Sequence, residues 1–136
     1  MSAELYSERK GGDMSGEWRI EDAGDLLLVR IAGAYSGIEA AETAFAAIAG
    51  QCRSLRRSLV LIDLTALTDT VPPRDRFLLG KRAARLWGRR IKVAILAKPE
   101  EITHFFENVA VNEGANVRVF ADPEAARAWL QTGTLA

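Results

Sequence analysis

Ile91-Lys-Val-Ala-Ile-Leu-Ala-Lys-Pro-Glu-Glu101, followed by Val117-Arg-Val-Phe-Ala-Asp-Pro-Glu-Ala-Ala-Arg-Ala-Trp-Leu130, decides the fold. Ile91 to Ala97 is an apolar run without alternation, the pattern of a parallel strand covered on both faces. Pro99 then suits the first position of a helix, Glu100 and Glu101 complement its dipole, and Gly114 marks its end. Ile102, Phe105, Phe106 and Val109 would form the inner face of that helix. Val117-Arg-Val119 alternates as a more exposed strand does, and Asp122-Pro123 reads as an N-cap and first-turn proline opening a short helix that buries Trp129 and Leu130. Strand and helix thus alternate twice, which is the signature of an α/β domain.

The same alternation extends upstream. Ser58-Leu-Val-Leu-Ile-Asp63 is another unbroken apolar strand. Pro72-Pro73 opens a helix reaching about Trp87, with Leu79, Ala83, Leu86 and Trp87 as its apolar stripe, Gly80 as a weak point and Gly88 as its stop. Ser36-Gly-Ile-Glu39 has the form of a capping box, and Ile38, Ala41, Phe45, Ile48, Ala49 and Cys52 recur at helical spacing behind it. Trp18-Arg-Ile20 and Asp25 to Ala32 flank the turn Glu21-Asp-Ala-Gly24, which predicts a β-hairpin. Residues 1–16 are polar, carry Gly11-Gly12 and read as a flexible N-terminal arm before a single domain over residues 17–132. The expected order is β-β-α-β-α-β-α-β-α around a mixed, mostly parallel sheet, with the helices on one face or both.

Composition removes several function classes. Eighteen basic and eighteen acidic residues cancel, which argues against general nucleic-acid binding and moves attention to local charge. The lone Cys52 permits no internal disulfide, and there is neither a basic-then-apolar leader nor an apolar run long enough for a membrane span. The expectation is a cytoplasmic protein with Cys52 as a small buried hydrophobe.

This element order, with the strand ending Asp63-Leu-Thr-Ala-Leu67 and the closing Val117 to Leu130 segment, resembles the SpoIIAA-like superfamily. That superfamily includes the STAS domains of anti-sigma-factor antagonists and a bacterial branch related to CRAL-TRIO lipid-binding domains. The resemblance covers Trp18 to Leu130 and implies a βα superhelical fold and no enzyme. Antagonists carry a phosphorylatable hydroxyl in an Asp-Ser-Ser-Gly-like segment at the start of the helix after the third strand. The corresponding place here is Asp69-Thr70, so the resemblance makes Thr70 the regulatory candidate, although Val71-Pro72-Pro73 stands where small residues and glycine are expected. The closing Ala-x-x-Trp-Leu helix resembles the other branch more, and that branch implies a small apolar, lipid-like ligand or a protein partner.

Three groups of residues compete as sites. Asp63, Thr65, Thr68, Asp69 and Thr70 are expected just beyond the C-terminal end of a central parallel strand, where open α/β sheets bind ligands. Local backbone bonding and capping explain such residues better than a regulatory hydroxyl at Thr70 does, and a small enzyme using Asp63 and Asp69 near a bound phosphate or metal is the alternative of another class. No second histidine accompanies His104, no G-x-S-x-G or P-loop is present, and neither a metal nor a cofactor is implied. Glu100, Glu101 and Glu107 lie near His104 in sequence and suit a surface ion pair.

From Arg74 to Lys92 eight basic side chains face the single Asp75, a net charge of +7. Arg82, Arg85 and Arg89 on one helical face are candidates for docking an acidic protein or anionic lipid headgroups, against the plainer reading of a solvated face. The aromatic set Phe77, Trp87, Phe105 and Phe106 could line an apolar pocket between the second and third helices, or could simply be core, with Gly80 and Gly88 loosening the backbone around it. Together these readings favour a non-enzymatic binding or regulatory module. It would bind a protein partner or a small apolar ligand through the second and third helices, and self-association stays open.

Overall fold

A computed structural model describes residues 3–9 and 17–132, and among them six strands form one sheet in the order of the chain. The strands are β1 (Ala3–Arg9), β2 (Glu17–Asp22), β3 (Leu27–Gly33), β4 (Leu59–Leu67), β5 (Lys92–Leu96) and β6 (Asn116–Phe120). The helices are α1 (Ile38–Leu55), α2 (Pro73–Trp87), α3 (Phe105–Asn112) and α4 (Pro123–Leu130). β1, β2 and β3 pair antiparallel, and β3, β4, β5 and β6 pair parallel, as expected for a mixed sheet whose later strands are parallel.

Because each parallel strand is added beside the last with crossovers of one hand, α1, α2 and α3 fall on the same face. Strand alternation divides the core accordingly. Val29, Val60, Ile62, Val93 and Ile95 pack with Phe45, Ile48, Leu79, Ala83 and Trp87 under those three helices. Leu28, Leu61, Ala94 and Leu96 point the other way, where α4 covers them with Ala126 and Leu130. α2 starts on Pro73 and stops at Gly88, whose amide bonds the Ala84 carbonyl, and α4 is capped by the Asp122 carboxylate accepting from the Ala125 amide.

Four local expectations are corrected. The polar segment read as an arm is in part β1, because strand pairing with the edge of β2 uses backbone groups that leave no hydrophobic period. The capping box at Ser36 does not form: α1 starts at Ile38 with Gly37 as N-cap at φ 101°, and the Ser36 hydroxyl donates instead to the Ala34 carbonyl. The helix expected from Pro99 is broken into a 3₁₀ turn, Pro99–Glu101, and α3, with His104 between them at φ 65°. β-branched Ile102 and Thr103 resist the helix, and the Thr103 hydroxyl accepts from the Phe105 amide at 3.3 Å, which supports a new helix start there. Finally, Leu130 is buried but Trp129 only half so, lying against Phe120 and under the Lys92 ammonium.

Candidate functional site: a cleft at the C-terminal edge of the parallel strands

β3, β4 and β5 deliver their C-terminal ends to the starts of α1 and α2 and to the break before α3. Around these ends opens a cleft of about 290 Å³. Trp18, Phe45, Ile62, Leu79, Ile95 and Phe106 make its apolar wall, while Tyr35, Asp69, Thr70, Lys98 and His104 contribute to its polar margin.

Arg76, on the first turns of α2, organises that margin. Its Nε donates to the Val71 carbonyl at 2.8 Å, Nη1 to the Glu101 carbonyl at 2.9 Å and to Thr103 Oγ1 at 3.2 Å, and Nη2 to Glu101 Oε1 at 3.2 Å. One guanidinium therefore ties the β4–α2 loop to the break before α3. The other Glu101 oxygen accepts from the Thr70 hydroxyl at 3.0 Å. On the opposite side the Tyr35 amide donates to Asp69 Oδ1 at 2.7 Å and the Tyr35 hydroxyl to Asp75 Oδ2 at 2.8 Å. Burial first, and the Asp75 carboxylate second, raise the Tyr35 phenol above its ordinary range, so it acts as a fixed donor. Lys98 Nζ donates to the Leu67 carbonyl at 2.9 Å. Among the described residues no buried side-chain nitrogen or oxygen lacks a partner.

The candidate residues are distributed unevenly around this site. Thr70 stands exposed on the margin. Asp69 is on the margin too, but Asp63 is not: β4 runs on to Leu67, and Ile62 and Leu64, both lining the cleft, place the intervening Asp63 on the opposite face, where it accepts from the Thr65 amide and hydroxyl. The two carboxylates of the alternative enzyme reading are thus not brought together. His104 Nδ1 lies 2.6 Å from Glu107 Oε1, a local pair on the rim.

Of the aromatic set only Phe106 lines the cleft. Trp87 is core, its indole N–H donating to the Phe45 carbonyl at 3.0 Å. Phe77 and Phe105 are about 40% exposed, at 42% and 41%, and stack on each other on the outer surface with ring centroids 6.4 Å apart and planes 20° from parallel. Of the basic candidates, Arg85 bonds Glu42 of α1 at 2.8 Å and Arg82 lies 3.5 Å from the same carboxylate, so both face a helix neighbour, while Arg89 is exposed past the end of α2. Gly80 is no loose point either, since it is buried against α3. Arg76 and Tyr35 escaped sequence reasoning because their partners lie 25 and 40 residues away.

The architecture is that of a SpoIIAA-like α/β fold. It is similar to the crystal structure of an anti-sigma factor antagonist from Mycobacterium paratuberculosis, with a TM-score of 0.59 and 14% identity, over 96% of this chain and 95% of that one. At that identity the likeness is one of fold. No protein-family model and no curated protein matches the sequence. Among the described residues no helix is long and apolar enough to cross a membrane.

Proposed function

We propose that this chain is a non-enzymatic regulatory module of the cytoplasm that associates with a protein partner through the outer face of α2 and α3. The observation that carries the reading is the stacked Phe77–Phe105 pair, two large apolar rings left in solvent with the Lys81 ammonium 5.4 Å above Phe77. Aromatic side chains framed by polar groups are the residues on which protein interfaces concentrate their energy. The Thr70–Glu101–Arg76 network bridges the starts of the same two elements. A phosphate on Thr70 would place about two negative charges beside Glu101 and strain the clamp that positions Phe105. The fold shared with an anti-sigma factor antagonist supports a partner of the anti-sigma-factor kind.

The test is affinity capture from the source organism with wild-type protein and with Phe77→Asp/Phe105→Asp, after checking that both fold. Loss of a discrete protein by the variant is expected. Recovery of the same proteins by both would sink the assignment of this face. A second reading, a small apolar ligand, is favoured by the apolar wall of the 290 Å³ cleft. Native mass spectrometry of freshly purified protein separates the two, since a carried ligand adds a discrete mass and a protein site does not.

A further inference from the structure

At the other end of the sheet, where the parallel strands begin, α1 and α2 end side by side and leave a crevice of about 170 Å³ between them. Its floor is apolar, formed by Ala49, Cys52, Leu86, Trp87 and Ile91, and three guanidinium side chains line it: Arg53, Arg57 and Arg90. Arg56 and Arg89 adjoin it in sequence and are exposed. Helix C-termini attract cations, so a dipole account has to be weighed first. The geometry does not fit it fully. The end of α1 is closed by backbone amides of Arg56 and Arg57 donating to the Cys52 carbonyl, and that of α2 by the Gly88 amide. Arg57 has further duties, bonding the Leu55 carbonyl and, through Nη2 at 3.0 Å, the Asp22 carboxylate. Arg53 and Arg90 make no hydrogen bond or ion pair among the described residues, whereas Arg76, Lys81, Arg82 and Arg85 on α2 each have a carboxylate.

We propose that this crevice is a second docking site, which takes an acidic protein segment carrying one large apolar side chain. The side chain would seat on Leu86 and Ala49, and flanking carboxylates would meet Arg53 and Arg90. Size favours a single side chain, since a cavity of about 150 Å³ is enough to hold a benzene ring. A membrane surface is matched less well, because a notch offers no protruding apolar group to insert. A nucleic acid is matched less well too, because no exposed aromatic lines the crevice for base stacking. The site lies at the C-terminal end of α2 and the Phe77–Phe105 pair near its start, so both could be occupied at once and each can be tested without the other.

The probe is a fluorescein-labelled peptide of Glu and Asp around one Phe, titrated by anisotropy at low salt and again at physiological salt, with ¹⁵N-resolved NMR to locate it. Expected are saturable binding that weakens with salt, shift changes centred on Arg53, Leu86 and Arg90, and a loss of affinity of about tenfold or more in Arg53→Glu/Arg90→Glu. Phe77→Asp/Phe105→Asp should bind the peptide like wild type. Should the charge-reversed protein prove misfolded, Arg53→Gln/Arg90→Gln serves in its place, read the same way. Absence of binding, equal binding of an acidic peptide lacking the Phe, unchanged affinity in the variant, or shifts centred elsewhere would each overturn the proposal. So would tighter arginine-dependent binding of phosphatidylserine vesicles or of an oligothymidine, which would assign the crevice to a lipid surface or a nucleic acid.

Discussion

Replacing Gly80 by alanine tests the packing of α2 on α3 by the sign of its effect. A Cβ at position 80 would lie 2.9 Å from both Cβ and Cγ1 of Val109 and 3.1 Å from the Phe106 carbonyl oxygen. The Val109 Cβ is anchored to its helix and cannot rotate away, so the helices must separate by several tenths of an ångström. Alanine gains about 0.8–1.0 kcal/mol over glycine in a helix interior. Inserting a methyl into a tight contact costs about 1–3 kcal/mol, so the net should be a destabilisation of about 1 kcal/mol. In a domain of this size that lowers the melting temperature by about 3–5 °C. Urea and thermal unfolding followed by circular dichroism read the difference directly. Shaving Val109 to alanine removes only the Cγ1 contact, so Gly80→Ala should cost less in that background, with a coupling of about 0.5 kcal/mol or more. A stabilised Gly80→Ala would refute the reasoning, because it is what an unconstrained glycine in a helix would give.

Three further outcomes are expected. Leu130→Ala should cost about 3 kcal/mol and Trp129→Ala about half of that, since Leu130 is fully buried between α4 and the sheet and Trp129 is not; equal urea midpoints for the two variants would contradict this. The Asp22 carboxyl is held below its ordinary 3.8, first by the hydrogen bond from Arg57 and then by that from the Gly24 amide. A depressed folded value means its stabilisation is present above the unfolded value and lost as pH falls through the folded one, so the urea midpoints of wild type and Asp22→Asn should converge below 3.8 and differ at neutral pH. Burial pushes the Cys52 thiol up to about 11, so Ellman's reagent should ignore it in the folded protein at neutral pH and label it after unfolding; prompt labelling of native protein would show that the crevice floor opens.

The fold was legible where a segment's own periodicity fixes its state. Ile91–Ala97 had to be a covered strand, Asp122-Pro123 had to start a helix, and Pro73 and Gly88 bracket α2 as their conformational limits require. Elements set by long-range bonding were not legible. β1 depends on the open edge of β2, and the break before α3 is held by Arg76 reaching from another helix to the Glu101 carbonyl. A three-residue spacing such as Ser36-Gly-Ile-Glu39 predicts a cap only if the helix starts in that register, and here it starts at Ile38.

Candidate sites were harder, because sequence gives the face of a helix and not what covers that face. Phe77, Trp87, Phe105 and Phe106 look alike as aromatic residues of two packed helices. The crossing at Gly80 draws α3 close to α2, Trp87 goes to the core, Phe106 to the cleft, and Phe77 and Phe105 to solvent. The basic run sorts in the same way. Glu42, 40 and 43 residues upstream of the two arginines it meets, engages Arg82 and Arg85, and the α1–α2 contact that brings it there also carries Arg53 beside Arg90. Net charge along a segment therefore misplaces the basic surface, since it counts cations before the fold has assigned their counter-ions. Arg53 in the last turn of α1 and Arg90 beyond the end of α2 have no carboxylate partner among the described residues, whereas Arg82 and Arg85 along α2 share Glu42. A charge-reversal of Arg53 and Arg90 should consequently change salt-sensitive binding more than the same reversal of Arg82 and Arg85, and the latter should cost stability by breaking the Glu42 bridges.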